Sequence, residues 1–511
     1  MQKIYLVLII ILSALLRLAY LASFPPSLNW DEVSLGYNAY SLIKTGHDEW
    51  GTVLPTIFRA FGDYKLPGYI YSAVPGIALL GLNETSVRLP SALAGIGLVV
   101  VTYLLTQKIF LDRRISLLSS LLVAISPWGL FLSHVAVEAN LGALFVALGI
   151  CLLVYRRASS GILFLGLSAW TYNSARVFAP LFLLIYLVIN RKSLTIKHLT
   201  LSIVLLAPVF IQLLQPAGSA RFQNIGLLDS GSIARLEYLR NSWSSPFSRF
   251  VYNRPVYFTS QFLKNYLFHF NPNFLFIDGG SHYQFNIPHT GLLYLITLPF
   301  FYFGLSTLLT RPQKIVLLWL LLAPIPGSLT RDAPHTLRAI IMLPLPMILI
   351  SLGVVSLTKV RVVNLLLLFL LLVSTINYLL LTNNYRTSYS WAWQYGYKPT
   401  IQYIQKNYGN YDQIIFTKRY GEPHEFVLFY WPWSPAAQLS KGWDYHAAWY
   451  WVNNLDKFRF VNDWEMPQTV ASLPPGQRYL VISSPDNPTS GTVLTQINFL
   501  DGKPAFIIRS L

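Results

Sequence analysis

Stretches of about 20 apolar residues recur along most of this chain, punctuated by short clusters of lysine and arginine, and each is long enough to cross a bilayer as a helix. Runs at 4–21, 292–309 and 362–381 are examples. A water-soluble core has no room for so many. Charged residues make up only 12% of the chain, about half the share usual in soluble proteins. The first run leads into Pro25, Pro26 and Trp30-Asp31-Glu32 instead of a small-residue cleavage site, which marks a retained helix and not a signal peptide. The net charge of +17 has the same origin. Basic residues sit in short loops, where they fix topology, so the charge points to no nucleic-acid partner. The single Cys151 lies in an apolar run and leaves no disulfide framework or thiolate metal cluster.

The basic clusters are Lys3; Lys108, Arg113 and Arg114; Arg156 and Arg157; Arg191, Lys192 and Lys197; Arg311 and Lys314; and Lys359 with Arg361. Placing them all in the cytoplasm gives about eleven spans, near 4–23, 88–110, 115–131, 140–155, 161–174, 176–190, 199–215, 291–309, 315–329, 338–357 and 362–381. With the N-terminus in the cytoplasm, an odd number of spans leaves the C-terminus outside. The apolar stretch 69–82 is short, and a crossing there would reverse every later basic cluster. It is expected to lie in the interface or to re-enter.

The expected fold is a membrane all-α bundle over 1–381, in the plasma or inner membrane, followed by an extracytoplasmic soluble α/β domain over 382–511. Outer loops are expected at 24–66, 216–288 and 331–338. In the tail, strands are expected at 414–418, 426–430, 478–483 and 505–509, and a short helix at 399–407. Dinucleotide loops, P-loops, zincin helices and serine elbows are missing, so nucleotide-dependent chemistry and serine or zinc hydrolysis lose support.

Several polar constellations fall on the outer face. Asp31 and Glu32 follow the first helix directly, where acidic side chains near hydrocarbon are costly. Asp31 could also cap an amphipathic helix over 32–43 lying on the membrane surface. Lys65, beside Pro67 at the far end of the same loop, could hold a phosphate as a point charge or anchor the loop to headgroups. Arg88 stands at the outer mouth of a helix. His134 and Glu138 would share a face if helical. Arg331, His335 and Arg338 crowd one short loop, and guanidinium forks match phosphate oxygens, although Arg331 and Asp332 could satisfy each other. Arg176, at a tight helical turn, and the 278–282 segment with Asp278 and His282 are weaker candidates. Arg17, inside the first helix near its outer end, could snorkel.

The order of these motifs resembles the GT-C class of membrane glycosyltransferases, closest to the family of protein O-mannosyltransferases and the aminoarabinose transferase of lipid A modification. The resemblance rests on the acidic pair Asp31 and Glu32, the Lys65–Pro67 element, the Arg88–Ala92 stretch and the later Glu138. It implies a catalytic role for Asp31, with Glu32 as its neighbour, and donor-phosphate binding by Lys65 and Arg88. Tyr64 stands where the aminoarabinose transferases carry a glutamate, with Asp63 one residue earlier. A divalent metal is left open, with Asp63 and Glu138 as candidate ligands.

The chemistry agrees. Nucleotide sugars are absent outside the cytoplasm, so a donor must arrive on a lipid. A polyprenyl phosphate leaves readily if a cation meets its developing charge, and the acceptor hydroxyl needs a base. The expected activity is transfer of a sugar from a polyprenyl-phosphate donor to an extracytoplasmic protein, lipid or glycan, with inversion. The alternative is a lipid or sugar transporter, which predicts ionisable residues inside spans and repeat symmetry.

Overall fold

The computed structural model describes every residue except 1, 61–62, 193–194, 358–360 and 447–450. Lys359 lies outside the described residues. The chain forms two compact units. One comprises Met1–Arg17, Ser91–Ser133 and Val137–Tyr378; the other comprises Leu18–Pro90, His134–Ala136 and Leu379–Leu511.

Every expected span contains helix. Among the described residues, three helices are both long and apolar enough to cross alone: Glu84–Phe110, Ile196–Leu213 and Val362–Ser388. The pair Arg113–Ile125 and Pro127–Ser133, bent by 51°, makes a fourth if counted as one span. The remaining apolar helices run to 10–17 residues. Each expected span therefore holds helix, but among the described residues only these three or four are full-length apolar helices. Prolines are one cause, because a proline lacks the N–H and disfavours helix in the residue before it. Outward-facing apolar side chains line Gln2–Leu18 (Ile4, Val7, Leu8, Leu15) and Arg361–Ser388 (Leu365, Phe369, Leu372, Leu380). Such surface is costly in water and suits lipid.

The bend at Pro127 shows how the first unit satisfies its backbone. In an unbroken helix the Val123 carbonyl would accept from residue 127, which here is proline, and the Ala124 carbonyl from Trp128, whose N–H instead donates to Leu292 O at 3.1 Å. Arg17 takes their place. Its Nη2 donates to Val123 O at 2.8 Å and its Nη1 to Ala124 O at 2.7 Å and Ser13 Oγ at 3.0 Å. Arg17 is fully buried, so the snorkelling expected from the sequence does not occur. The free carbonyls of the helix end supply the partial negative charge it needs.

The second unit is built on a seven-stranded sheet in the order Asp444–His446, Trp451–Leu455, Phe458–Val461, Gln413–Thr417, Tyr479–Ser483, Pro504–Ser510, Thr492–Asn498. Its central three strands are parallel and its flanks antiparallel. Three of the four expected strands are present. The fourth, 426–430, lies in the helix Pro423–Tyr430. A continuous apolar run that is buried all round has no period to tell strand from helix, and Pro423 at the first helical position decides for helix. The expected 399–407 helix is found as Tyr397–Asn407.

The loop expected at 24–66 is part of this same unit. Its helix Trp30–Thr45 packs on Pro67–Leu80, Pro423–Tyr430 and Pro435–Lys441. Ten of its residues are buried, so protein covers more of it than the amphipathic surface helix expected from the sequence would have covered. Gly36 makes the fit possible: a Cβ there would meet Val87 Cγ2 at 2.5 Å and Phe429 Cε2 at 2.7 Å. The short apolar stretch 69–82 forms the 14-residue helix Pro67–Leu80, about 21 Å long and short of a hydrocarbon core of about 30 Å.

Candidate active site

Asn29 starts the Trp30–Thr45 helix with a capping box. Its Oδ1 accepts from the Glu32 N–H at 2.9 Å, and Glu32 Oε2 accepts from the Asn29 N–H at 3.1 Å. The cap expected at Asp31 is therefore made by Asn29, and the two adjacent carboxylates separate. Glu32 turns inward. Its Oε1 accepts from Arg88 Nε and from the Ala136 N–H, both at 2.8 Å, and its Oε2 also accepts from Arg88 Nη2 at 3.1 Å. Arg88 uses the rest of its fork on carbonyls: Leu21 at 3.1 Å, Pro25 at 3.0 Å and Ser27 at 2.6 Å. Both residues are fully buried.

All five N–H donors of Arg88 are thus committed to protein, which leaves none for a donor phosphate. The carboxylate of Glu32 has its acceptor sites filled in the same way. The expected roles of Arg88 in phosphate binding and of Glu32 at the catalytic centre do not fit this geometry. The pair instead ties residues 21–29, the start of the helix and the 134–136 segment together.

Asp31, one residue earlier, turns outward. Its carboxylate forms a 2.7 Å ion pair with Lys65 Nζ, and its side chain is 38% exposed against 11% for Lys65. Lys65 sits on a short antiparallel ribbon, Phe58–Arg59 with Tyr64–Lys65. The Pro67–Leu80 helix follows with no side-chain cap, so its first N–H groups add partial positive charge beside the lysine. The arrangement offers a reachable carboxylate, a cation and a helix N-terminus.

Asp63 accepts from the Tyr64 N–H at 2.8 Å. Glu138 opens the Glu138–Val154 helix in the other unit. The helix ending at Ser133 and the non-helical 134–137 segment break the face that His134 and Glu138 would have shared. Among the described residues, no group of three or more His, Cys, Asp or Glu is arranged to hold a metal ion.

In the first unit, Arg331 pairs with Asp229 and donates to Asn224 O, and Asp332 lies 3.4 Å from Arg338. The expected Arg331–Asp332 pair is therefore replaced by two others. Arg338 also donates to Thr330 Oγ1 at 2.8 Å. His335 packs against Phe285, with ring centroids 5.4 Å apart.

One cluster escaped the sequence reading. Behind the Trp30–Thr45 helix, buried Glu49 accepts from Asn38 Nδ2 at 3.0 Å and Trp50 Nε1 at 3.1 Å. It stands beside Glu425, and burial with mutual repulsion raises both carboxyls. Burial also pushes Glu422 up to about 8 and His424 down to about 3, the latter helped by the charge of Lys418. The signals were Asp48-Glu49 and Glu422-Pro423-His424-Glu425, short acidic runs between apolar ones.

Residues 7–173, about a third of the chain, match the family of dolichyl-phosphate-mannose-protein mannosyltransferases. Among solved structures, ArnT from Cupriavidus metallidurans bound to undecaprenyl phosphate aligns with a TM-score of 0.57 at 12% identity, over 99% of this chain and 97% of that one. ArnT from the same organism in the apo state aligns at 0.55 and 14% identity, with the same coverage. The archaeal oligosaccharyltransferase AglB from Archaeoglobus fulgidus aligns at 0.46 and 14% identity, over 79% of this chain and 58% of that one. Among curated proteins no sequence match is found. The expected resemblance to GT-C membrane glycosyltransferases is thus supported by a family match over the N-terminal third and by the ArnT fold over nearly the whole chain.

Proposed function

We propose that this protein is an integral membrane glycosyltransferase that moves a sugar from a polyprenyl-phosphate donor to an extracytoplasmic acceptor. The observation that carries the reading is the Asp31–Lys65 pair, exposed on the Asp31 side and set at an uncapped helix N-terminus. The mannosyltransferase family match and the ArnT structure, which binds undecaprenyl phosphate, support it.

In this reading the donor phosphate competes for Lys65 and for the N–H groups of the Pro67–Leu80 helix. Losing its cation leaves the Asp31 carboxylate free to face the acceptor. Asp31 then accepts the proton of the acceptor hydroxyl as that oxygen attacks the anomeric carbon. The bond from the anomeric carbon to the phosphate oxygen breaks, and its electron pair leaves with the phosphate. Lys65 meets the developing charge, so no proton need be given to the leaving group. In-line attack inverts the anomeric configuration. Glu32 and Arg88 hold the turn that aims Asp31 and touch neither substrate. The active site faces the extracytoplasmic side, with the N-terminus in the cytoplasm.

The test offers purified protein a panel of radiolabelled polyprenyl-phosphate sugars with a cell-envelope acceptor. Transfer by the wild type that is lost in Asp31→Asn supports the assignment. Equal transfer by both removes Asp31 from the reaction, and no transfer with any donor rejects the proposal.

A further inference from the structure

A cavity of about 310 Å³ lies within the first unit, bounded by the start of the Asn173–Ile189 helix, by residues 213–219 and by the 326–338 segment. Two guanidiniums line it. Arg176 is 4% exposed and Arg338 9%. The partners of Arg176 are neutral: its Nε donates to Ala169 O at 3.2 Å and its Nη2 to Gln212 Oε1. Neutral acceptors satisfy its protons but do not balance its charge, which is costly at this depth.

A third positive source joins them. The Asn173–Ile189 helix starts at the cavity with no side-chain cap, and Asn173 and Ser174 line the wall. None of the described lining residues is acidic; Arg338 has an acidic neighbour in Asp332 at 3.4 Å, a largely exposed side chain that does not line the cavity. The other wall is apolar, with Val177, Leu213, Ile225 and Leu329. The chamber therefore has a cationic end and a hydrocarbon end, and its volume sits at the small limit for ligand sites.

We propose that this cavity binds the phosphate headgroup of a membrane amphiphile, with Arg176, Arg338 and the helix N-terminus around the phosphate oxygens. The apolar wall takes the first carbons of the attached chain. A guanidinium fork and uncapped N–H groups both prefer phosphate oxygens. Lys65 is not among its lining residues, and the proposal does not depend on the transferase reading, because its readout is binding. Prenyl monophosphates and diacyl phosphatidates share the required chemistry.

The experiment measures binding to the full chain in detergent, in a Lys65→Met background that silences the other phosphate site. The probes are undecaprenyl phosphate, dioleoyl phosphatidate and inorganic phosphate. Saturable binding of one or both lipids is expected, with inorganic phosphate a poor competitor. Affinity should drop at least about tenfold in Arg176→Gln, which loses a charge-assisted contact. Ser219→Phe fills the cavity while keeping both arginines, and should give the same loss if Arg176→Gln fails to fold. Binding of the prenyl lipid alone assigns the site to a carrier lipid, and binding of both to lipid phosphates in general. Unchanged affinity in both variants, or inorganic phosphate bound as tightly as the lipids, overturns the proposal.

Discussion

Replacing Glu32 by Gln tests whether its buried carboxylate is structural, with Asp31, the proposed base, as the contrast. The Glu32 side chain accepts four hydrogen bonds, two of them from the Arg88 guanidinium. Glutamine keeps one oxygen. Its amide NH2 would point at donors, and Arg88 would remain charged in a site with no exposure. Two charge-assisted bonds at about 1.5–3 kcal/mol each agree with the roughly 3–5 kcal/mol found when one partner of a buried ion pair is removed. Asp31→Asn breaks a pair that is 38% exposed on the Asp31 side, worth about 0–1 kcal/mol. The assay compares thermal unfolding in detergent, followed by tryptophan fluorescence, with sugar transfer for each variant. Glu32→Gln should lose stability, and lose activity only as folded protein is lost. Asp31→Asn should melt like wild type and lose about 10²–10⁴ in turnover, the usual worth of a general base. A Glu32→Gln protein that melts normally but does not turn over would refute the structural assignment. The paired variant Glu32→Gln/Arg88→Gln should cost less than the two single losses added, since neither charge is then stranded.

Lys65→Met should raise KM for the donor and lower kcat, by about 10–10³ overall if the cation meets charge on the leaving phosphate; kinetics with a lipid-linked donor check this. Burial raises Glu422 to about 8 and holds Glu49 and Glu425 above the usual carboxylate range, so the three keep protons that the unfolded chain releases near 4.5 and their contribution to stability falls as pH rises above about 4.5. Glu425→Gln should flatten that fall in unfolding curves taken across the range, while buried neutral His424 opposes it below 6.5 in both proteins. Arg17→Met should destabilise by a few kcal/mol, because it strands the Val123 and Ala124 carbonyls; detergent melts of the variant test this. Gly36→Ala should cost about 1–3 kcal/mol through overpacking against Val87 and Phe429, read in the same way.

The membrane character and the sheet-bearing tail were legible in the sequence, because apolar run length and strand composition are local signals. The separation of the Asp31 and Glu32 carboxylates was not. It depends on Arg88, 56 positions away, and on the Ala136 N–H, 104 away, and no local pattern reports such a contact. Arg17 read as a snorkelling residue because its partners are carbonyls exposed by Pro127, far along the chain. The 426–430 run misled for want of a period, and the Glu49–Glu425 contact joins two short acidic runs that look like ordinary solvated loops apart.

The second unit is assembled from stretches of chain that leave the ribosome at very different times. Residues 18–90 are made early and 379–511 late, and the stretch between them takes about 15–60 s to synthesise at ~5–20 residues per second. Throughout that wait, Gly36 has no Phe429 to pack on, and the Tyr37 hydroxyl lacks the Trp433 carbonyl, its acceptor at 3.3 Å. The helix that bears Asp31 therefore reaches its final packing only after the membrane helices have been made. A nascent chain arrested before residue 379 would hold that helix uncovered and open to proteases, so the packing around Asp31 is completed late in synthesis although the residue is among the first made.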